Sequence, residues 1–173
     1  MSLRSFYNDL YGTALIEAIQ NYHNIPVVVA AGNDYGYASS VWPARVESAI
    51  TVGASDRYDN KPAFSNYGSA VNIFAPGVDI YSAYAYSPFT TSSYTYLSGT
   101  SMASPFVAGA AAIIKENLPH LRAREVALTL HASSSKYVVQ NANSFNNHLL
   151  YVCIPNEYIY YLNYYSGNYY YYI

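Results

Sequence analysis

The chain has 173 residues, of which 52% are hydrophobic and 10% charged, and its formal net charge at pH 7 is −2. This composition fits one globular domain with a substantial core and excludes a highly charged, disordered chain. Neither a nucleic acid nor a membrane is expected as a partner, because the chain is not basic and no apolar run reaches membrane-spanning length. Cys153 is the only cysteine, which excludes a disulfide within the chain.

Helix-like and strand-like segments alternate along the sequence. Apolar residues recur with helical spacing from Gly12 to Tyr22, and Ile25-Pro26 ends that helix because the residue before proline avoids helical angles. Helices are also predicted for Met102 to Asn117 and for Arg122 to His131. Short apolar runs typical of strands covered on both faces occupy 27–31, 49–54 and 71–75. This order indicates an α/β fold with a mostly parallel sheet between helix layers.

The stretch YLSGTSMASPFVAGAAA places Ser101 at the start of the central predicted helix. The first N–H groups of a helix lack an internal partner and favour a negative group, so a tetrahedral intermediate at Ser101 would form beside free donors. Pro105 is compatible with the first turn, where its missing N–H costs nothing. Serine is also an ordinary helix cap, and the stretch is not the G-x-S-x-G elbow of α/β-hydrolases. Ser101 alone therefore does not indicate an enzyme.

A second polar residue, Asn33, follows the first predicted strand in the sequence AAGN. Loops at the carboxyl ends of parallel strands usually carry binding groups, and an asparagine amide can donate to a developing oxyanion. The alternative is a turn without a role in any reaction, because Asn-Asp-Tyr-Gly is also good turn chemistry.

Taken together, these segments resemble the subtilisin-like serine proteases, in particular the proteinase K branch. The matching stretches come in the family's order and are VVVAAGND, AITVGASDRYDNKPAFSNYGSAVNIFAPG and SGTSMASPFVAGAAA. The resemblance implies a three-layer α/β fold of subtilisin type with its N-terminal part missing. It makes residues 1–151 the C-terminal part of a peptidase domain. Residues 152–173 form a tyrosine-rich tail, which we expect to be poorly ordered and to pack little against the body.

The resemblance also implies roles for individual residues. Ser101 matches the catalytic nucleophile, and Asn33 matches the oxyanion-hole asparagine that works beside the Ser101 N–H. Substrate-binding residues implied in the same way are Ser2, Leu3, Ala30, Ala31 and Gly32. Glu47 and Ala49 fall where some members bind calcium through backbone carbonyls. Because Asn72 replaces an aspartate there, such a site is weakened, and no cofactor is predicted.

The motifs for the other two catalytic residues of the family are absent from the chain. The triad order is Asp, His, Ser, and neither the D-T-G or D-S-G turn nor the H-G-T-H helix start occurs. Arg4 and Ser5 replace the glycine pair of the family's S-L-G-G, and Arg4 is expected to crowd the substrate strand. The histidines are expected to be surface or structural residues, and they are His23, His120, His131 and His148. The aspartates likewise lack the motif, and they are Asp9, Asp34, Asp56, Asp59 and Asp79.

Two functions remain open. The first is a serine endopeptidase that forms an acyl-enzyme at Ser101 with a protein or peptide substrate, within a longer parent. The second is a non-catalytic remnant or interaction module that keeps part of the fold. The chain alone is expected to be inactive, because it lacks the base. Extracellular localisation is implied by the resemblance alone, since the N-terminus shows no signal-peptide pattern.

Overall fold

The computed structural model of the chain describes residues 1–5, 7, 9–84 and 93–152. The tyrosine-rich tail was expected at 152–173, and all of it except Val152 lies outside the described residues. Within the described ranges the helices are α1 (Leu10–His23), α2 (Thr100–Asn117) and α3 (Ala123–Ser133), with a short 3-10 helix at Ala38–Ser40. The strands are β1 (Val28–Ala30), β2 (Ile50–Ser55), β3 (Ile73–Pro76), β4 (Ile80–Ala83), β5 (Tyr94–Leu97), β6 (Ser135–Lys136) and β7 (His148–Leu149).

The central sheet is mostly parallel, as the sequence predicts. Its strand order is β1-β2-β3-β7-β6. β1 pairs with β2, β2 with β3 and β3 with β7 in parallel, and β6 runs antiparallel to β7. The three apolar runs of the sequence are the three neighbouring strands β1, β2 and β3, so the predicted α/β class is confirmed.

Both faces of this sheet are covered, because alternate residues of a strand point to opposite sides. In β3, Ile73 and Ala75 pack toward α2 and α3. Phe74 packs on the opposite side among residues that include Ala31 and Val41. On that same side, the α1 residue Ile16 packs against β1. The fold therefore has three layers, with the sheet in the middle.

α2 is the helix that packs across the parallel strands. Its buried side includes Ala103, Val107, Ala110 and Ile114, spaced at the helical period. The residues before α2 form an antiparallel hairpin of β4 and β5, which the sequence analysis does not predict. Most hairpin residues are exposed, so the segment lacks the apolar pattern that marks the core strands.

Candidate active site

Ser101 is the second residue of α2, and Gly99 is the N-cap of that helix. The helix start is fixed to the end of β3, since Gly99 N–H donates to the Gly77 carbonyl at 2.7 Å. Thr100 is fully buried, whereas Ser101 is half-buried. The predicted position of Ser101 at the helix junction is thus confirmed. Its N–H is one of the first in the helix, where no carbonyl within the helix is available to accept.

Pro105 lies in the second turn of α2, because α2 begins at Thr100; the expected place in the first turn was wrong. Without an N–H, Pro105 cannot donate to the Ser101 carbonyl four residues earlier. A side chain takes its place, since Ser2 Oγ donates to the Ser101 carbonyl at 3.1 Å and lies 3.2 Å from Ser104 Oγ. The first residues of the chain therefore hold the start of α2.

Asn33 reaches the same helix start from the loop after β1. Its Oδ1 accepts hydrogen bonds from Thr100 N and from Thr100 Oγ1, both at 2.9 Å. Gly32 N donates to the Thr100 hydroxyl at 3.1 Å. Because Oδ1 receives two donors, the amide is held with Nδ2 as its remaining hydrogen-bonding group. Thr100 was not identified from the sequence; its partner lies 67 positions away, and no local pattern reveals it.

The two candidate donors lie close together at the start of α2. A Cβ atom built on Gly99 would stand 3.2 Å from Asn33 Nδ2 and 3.7 Å from Ser101 N. Both nitrogen atoms therefore lie on the same side of Gly99, where a side chain would crowd Asn33. Two N–H donors that converge on one carbonyl oxygen stabilise the oxyanion that forms when a nucleophile attacks that carbonyl group.

Of the residues expected to bind substrate, Ser2 and Gly32 bond to the start of α2. The first residues run beside β1, since Ala30 N donates to the Met1 carbonyl at 3.0 Å. Leu3 is half exposed, whereas the side chains of Ala30 and Ala31 are buried. Gly32 N donates to the Thr100 hydroxyl. On either side of Gly32, Asn66 Nδ2 donates to the Ala31 carbonyl and Asn66 Oδ1 accepts from Asp34 N. For the two alanines, only the backbone can therefore contribute to a substrate surface.

Arg4 forms an ion pair with Asp34, with 3.0 Å between Nη2 and Oδ1. Arg4 follows Leu3 and Asp34 follows Asn33, so the pair connects the two segments that the resemblance assigns to substrate binding. Both side chains are partly exposed, and such a pair stabilises a protein by only about 0–1 kcal/mol. A peptide lying between these segments would have to displace the pair or pass beside it.

Ser101 also borders a surface hollow of about 360 Å³, which we call the Ser101 hollow. The hollow separates the β4–β5 hairpin from the first two turns of α2. None of its other lining residues is charged. They are Ile80, Tyr81, Ser82, Ala83, Thr95, Leu97, Met102, Pro105 and Phe106. A hollow of this kind suits an apolar group.

The histidines, all of which are described, are arranged as the sequence analysis expects. His23 is the last residue of α1. His120 lies beyond the C-terminal end of α2, whereas Ser101 lies at the N-terminal end of that helix. His131 and His148 pack against each other with ring centroids 4.7 Å apart. Within the described part of the chain, no hydrogen bond connects Ser101 to a histidine or an aspartate. The described residues therefore place no catalytic base at Ser101.

Glu47, Ala49 and Asn72 do line one polar hollow, of about 720 Å³. Asn72 Oδ1, however, accepts from Thr51 N at 2.7 Å, and the backbone of Asn72 bonds to the His131 ring. Arg122, Arg124 and His131 line the same hollow. Calcium requires six to eight oxygen ligands, and the described residues hold no group of three or more His, Cys, Asp or Glu that could bind a metal ion. The two arginines disfavour a bound cation, and a calcium site through the backbone carbonyls of Glu47 and Ala49 stays an expectation.

Comparison with known proteins gives the family. The family model described as Subtilase family matches residues 4–150. The chain is 44% identical over 140 residues to the extracellular serine proteinase of Thermus sp. (strain Rt41A), which covers 80% of this chain and 33% of that protein. It is 41% identical over 128 residues to subtilisin DY of Bacillus licheniformis, covering 71% of this chain and 45% of that protein.

Comparison with solved structures indicates the same family. A cold adapted subtilisin-like serine proteinase of known crystal structure matches with a TM-score of 0.77 at 35% identity, covering 90% of this chain and 54% of that one. The chain thus spans from a third to about half of the length of these relatives. Within the described residues, no helix combines the length and the apolarity needed to cross a membrane. Because the family model matches most of the chain and a solved member shares its fold, the chain belongs to the subtilase family of serine proteases.

Proposed function

We propose that this chain carries the nucleophile and the oxyanion site of a serine endopeptidase, with Ser101 as nucleophile and Asn33 as oxyanion donor. The observation that best supports the proposal is that Asn33 Nδ2 and Ser101 N lie close together on the same side of Gly99. A substrate carbonyl oxygen bound within reach of both would receive two hydrogen bonds as it becomes negative. Thr100 would hold the Asn33 amide in place for that step.

In the proposed reaction, Ser101 Oγ forms a bond to the carbonyl carbon of a protein or peptide substrate. The peptide C–N bond breaks, the serine proton passes through a base to the leaving amine, and water then releases the acid from the ester. No described histidine or aspartate bonds to Ser101. The base must therefore come from outside the described residues, and we expect the chain alone to be inactive.

The second candidate is a non-catalytic module that keeps the fold, and the absence of a base beside Ser101 among the described residues favours it. The two candidates are separated by labelling with an active-site serine phosphonate. For the chain alone we expect no labelling, because a serine hydroxyl without a base stays protonated and reacts weakly. Imidazole added as an external base should then produce slow labelling, because the nucleophile and the oxyanion donors are in place.

Variants identify the groups involved. Ser101→Ala should abolish the imidazole-dependent labelling, and Asn33→Leu should slow it by about a hundredfold to a thousandfold. Ser39→Ala, an exposed serine outside the site, serves as the control and should label like the unmodified chain. Labelling that survives Ser101→Ala would disprove the nucleophile. A folded chain that stays unlabelled with imidazole would favour the non-catalytic module.

We also propose that the protein acts outside the cell. The support is the name of the Thermus relative, which is an extracellular serine proteinase. Detection of the protein in culture medium rather than in washed cells would test this.

A further inference from the structure

The side chain of Asn66 is fully buried and bonds to the loop at 31–36, which follows β1. Its Nδ2 donates to the Ala31 carbonyl at 2.9 Å. Its Oδ1 accepts from the N–H groups of Asp34 and Gly36, each at 2.9 Å. This loop belongs to neither a strand nor a helix, so its backbone groups need partners from elsewhere. Both polar atoms of the Asn66 side chain are used for that purpose.

The hydrogen bonds of Asn66 include both peptide groups that flank Asn33. The peptide group before Asn33 carries the Gly32 carbonyl, which accepts from the backbone N–H of Asn66 at 3.0 Å. The peptide group after Asn33 carries the N–H of Asp34, which donates to the Asn66 side chain. Because each peptide group is planar, bonds to both of them restrict the φ and ψ angles of Asn33. The backbone of Asn33 is therefore held from below, although Asn33 itself is exposed.

Asn66 also packs directly against Gly32. A Cβ atom on Gly32 would lie 2.4 Å from Asn66 Nδ2, and Gly32 has a φ of 101°, which favours glycine. A larger residue at this position would displace the Asn66 side chain. The turn that leads into Asn33 thus has its shape only with Asn66 in its place.

Two residues together determine the direction of the Asn33 amide. Asn66 holds the backbone from which the side chain starts, and Thr100 bonds to Oδ1 at the end of that side chain. If the backbone were free to move, Thr100 could keep its bonds to Oδ1 while Nδ2 turned to another direction. An oxyanion donor acts best when it is held in place before the reaction begins.

We propose that Asn66 is a positioning residue, which holds the backbone of Asn33 so that Asn33 Nδ2 is directed toward the carbonyl oxygen that Ser101 attacks. The proposal rests on the proposed function, since it concerns the oxyanion donor of that same site. Asn66 is buried beneath the loop and acts through Asn33, not through contact with the substrate. The alternative is a residue that only stabilises the fold, and its loss would then have no special effect on Asn33.

The first test measures the imidazole-dependent phosphonate labelling of Ser101 in a double-mutant cycle. Asn66→Ser removes the side-chain bonds and should slow labelling by about tenfold to a hundredfold, as the misplacement of a reacting group does. In a chain that already carries Asn33→Leu, the same change should have no further effect, because the donor that Asn66 positions is gone. Equal slowing with and without Asn33→Leu would show that Asn66 acts on the fold as a whole and would overturn the proposal.

Asn147→Ser is the matched control. Asn147 also uses both of its side-chain groups on one backbone segment, since Oδ1 accepts from Val139 N and Nδ2 donates to the Val139 carbonyl, both at 2.9 Å. This variant should be labelled like the unmodified chain. Asn66→Asp keeps the size and the acceptor of the side chain, and it takes the place of Asn66→Ser in both tests if that variant does not fold.

The second test uses NMR of the isotope-labelled chain and does not depend on labelling. Asn66→Ser should shift the side-chain amide signal of Asn33, whereas Asn147→Ser should leave it unchanged. In the unmodified chain, the N–H groups of Asp34 and Gly36 should exchange slowly with solvent, because both are bonded to Asn66. An unchanged Asn33 signal in folded Asn66→Ser, or exchange as fast as in an unfolded chain, would overturn the proposal. An unmodified chain that passes the NMR test but is never labelled would contradict the proposed function alone.

Discussion

At the scale of single residues, the candidate site depends on a close approach at Gly77. A Cβ atom on Gly77 would lie 2.6 Å from the Cβ atom of Ala54 and 2.9 Å from the carbonyl oxygen of Gly99. Gly77→Ala must therefore move β2 or the start of α2, and overpacking of this kind typically costs about 1–3 kcal/mol. We expect denaturant unfolding to show that loss in the free energy of unfolding.

Gly109→Ala is the matched control for this prediction. Gly109 lies inside α2, and a Cβ atom there would meet no atom within 4 Å. Alanine favours a helix interior over glycine by about 1 kcal/mol, so this variant should be more stable than the unmodified chain. Equal stability of the Gly77 and Gly109 variants would contradict the packing described between β3 and α2.

Ser101 and Asn33 can be proposed from the sequence, because each lies in a short motif at a predicted junction of a strand or helix with a loop. The sequence was not sufficient for Thr100 and Ser2. Thr100 holds the Asn33 amide, and Ser2 bonds to the Ser101 carbonyl across 99 positions of the chain. These roles arise from contacts between distant segments, and the need for Ser2 arises only from the place of Pro105 in the helix.

At the scale of elements, the contact between α3 and the β6–β7 hairpin contains a histidine pair. Burial lowers the pKa of His131, and the neighbouring charges of His148 and Lys136 lower it further. Burial and Lys136 lower the pKa of His148 as well. Ser134 Oγ lies 2.7 Å from His148 Nδ1, which keeps the pair in contact with the end of α3.

The lowered pKa values predict a dependence of stability on pH. The unfolded chain takes up protons at its ordinary histidine pKa of about 6.5, before the folded chain does. The pair's contribution to stability is therefore complete above that pH and falls as the pH drops from about 6.5 through the lowered pKa values. We expect the free energy of unfolding, measured by denaturant titration, to decrease over this range.

Two variants test the assignment to the histidine pair. His148→Gln should make the decrease between pH 7 and pH 5 smaller, because one titrating group and its repulsion of His131 are removed. His23→Gln, at the exposed end of α1, is the control and should follow the unmodified chain. If both variants show the same pH dependence, the pair does not cause it.

The sequence predicts those helices and strands whose buried apolar residues recur at a regular spacing. β1, β2 and β3 are short apolar runs because both faces of the sheet are covered, and α1, α2 and α3 show helical spacing. β6 and β7 have two residues each, too few for any period to be visible. β4 and β5 pair with each other as an exposed antiparallel hairpin, and their cross-strand tyrosine contacts are a property of the strand pair and not of either strand.

At the scale of the whole molecule, α2 is buried on one side and open on the other. Phe106 is 44% exposed and Ile113 is 46% exposed. A hollow of about 550 Å³ lies on another side of α2, between α1 and α2, and is here called the α1–α2 hollow. It is lined by Met1, Ile19, Ile25, Pro26, Val27, Val28, Ala108, Ala111, Ala112 and Lys115. The α1–α2 hollow is thus an apolar hollow on the surface, with Lys115 as its single charged lining residue.

The α1–α2 hollow predicts that the folded chain binds the dye anilinonaphthalene sulfonate, whose rings suit the apolar lining. Ala112→Glu should reduce the dye fluorescence by about twofold or more, because it places a negative charge in the lining of the α1–α2 hollow, where it repels the sulfonate. Ser39→Glu, on an exposed surface elsewhere, should leave the fluorescence unchanged. Dye can also bind a loosely packed chain, so the same samples must unfold in one cooperative transition. Equal fluorescence of the two variants in cooperatively folded samples would show that the dye binds elsewhere.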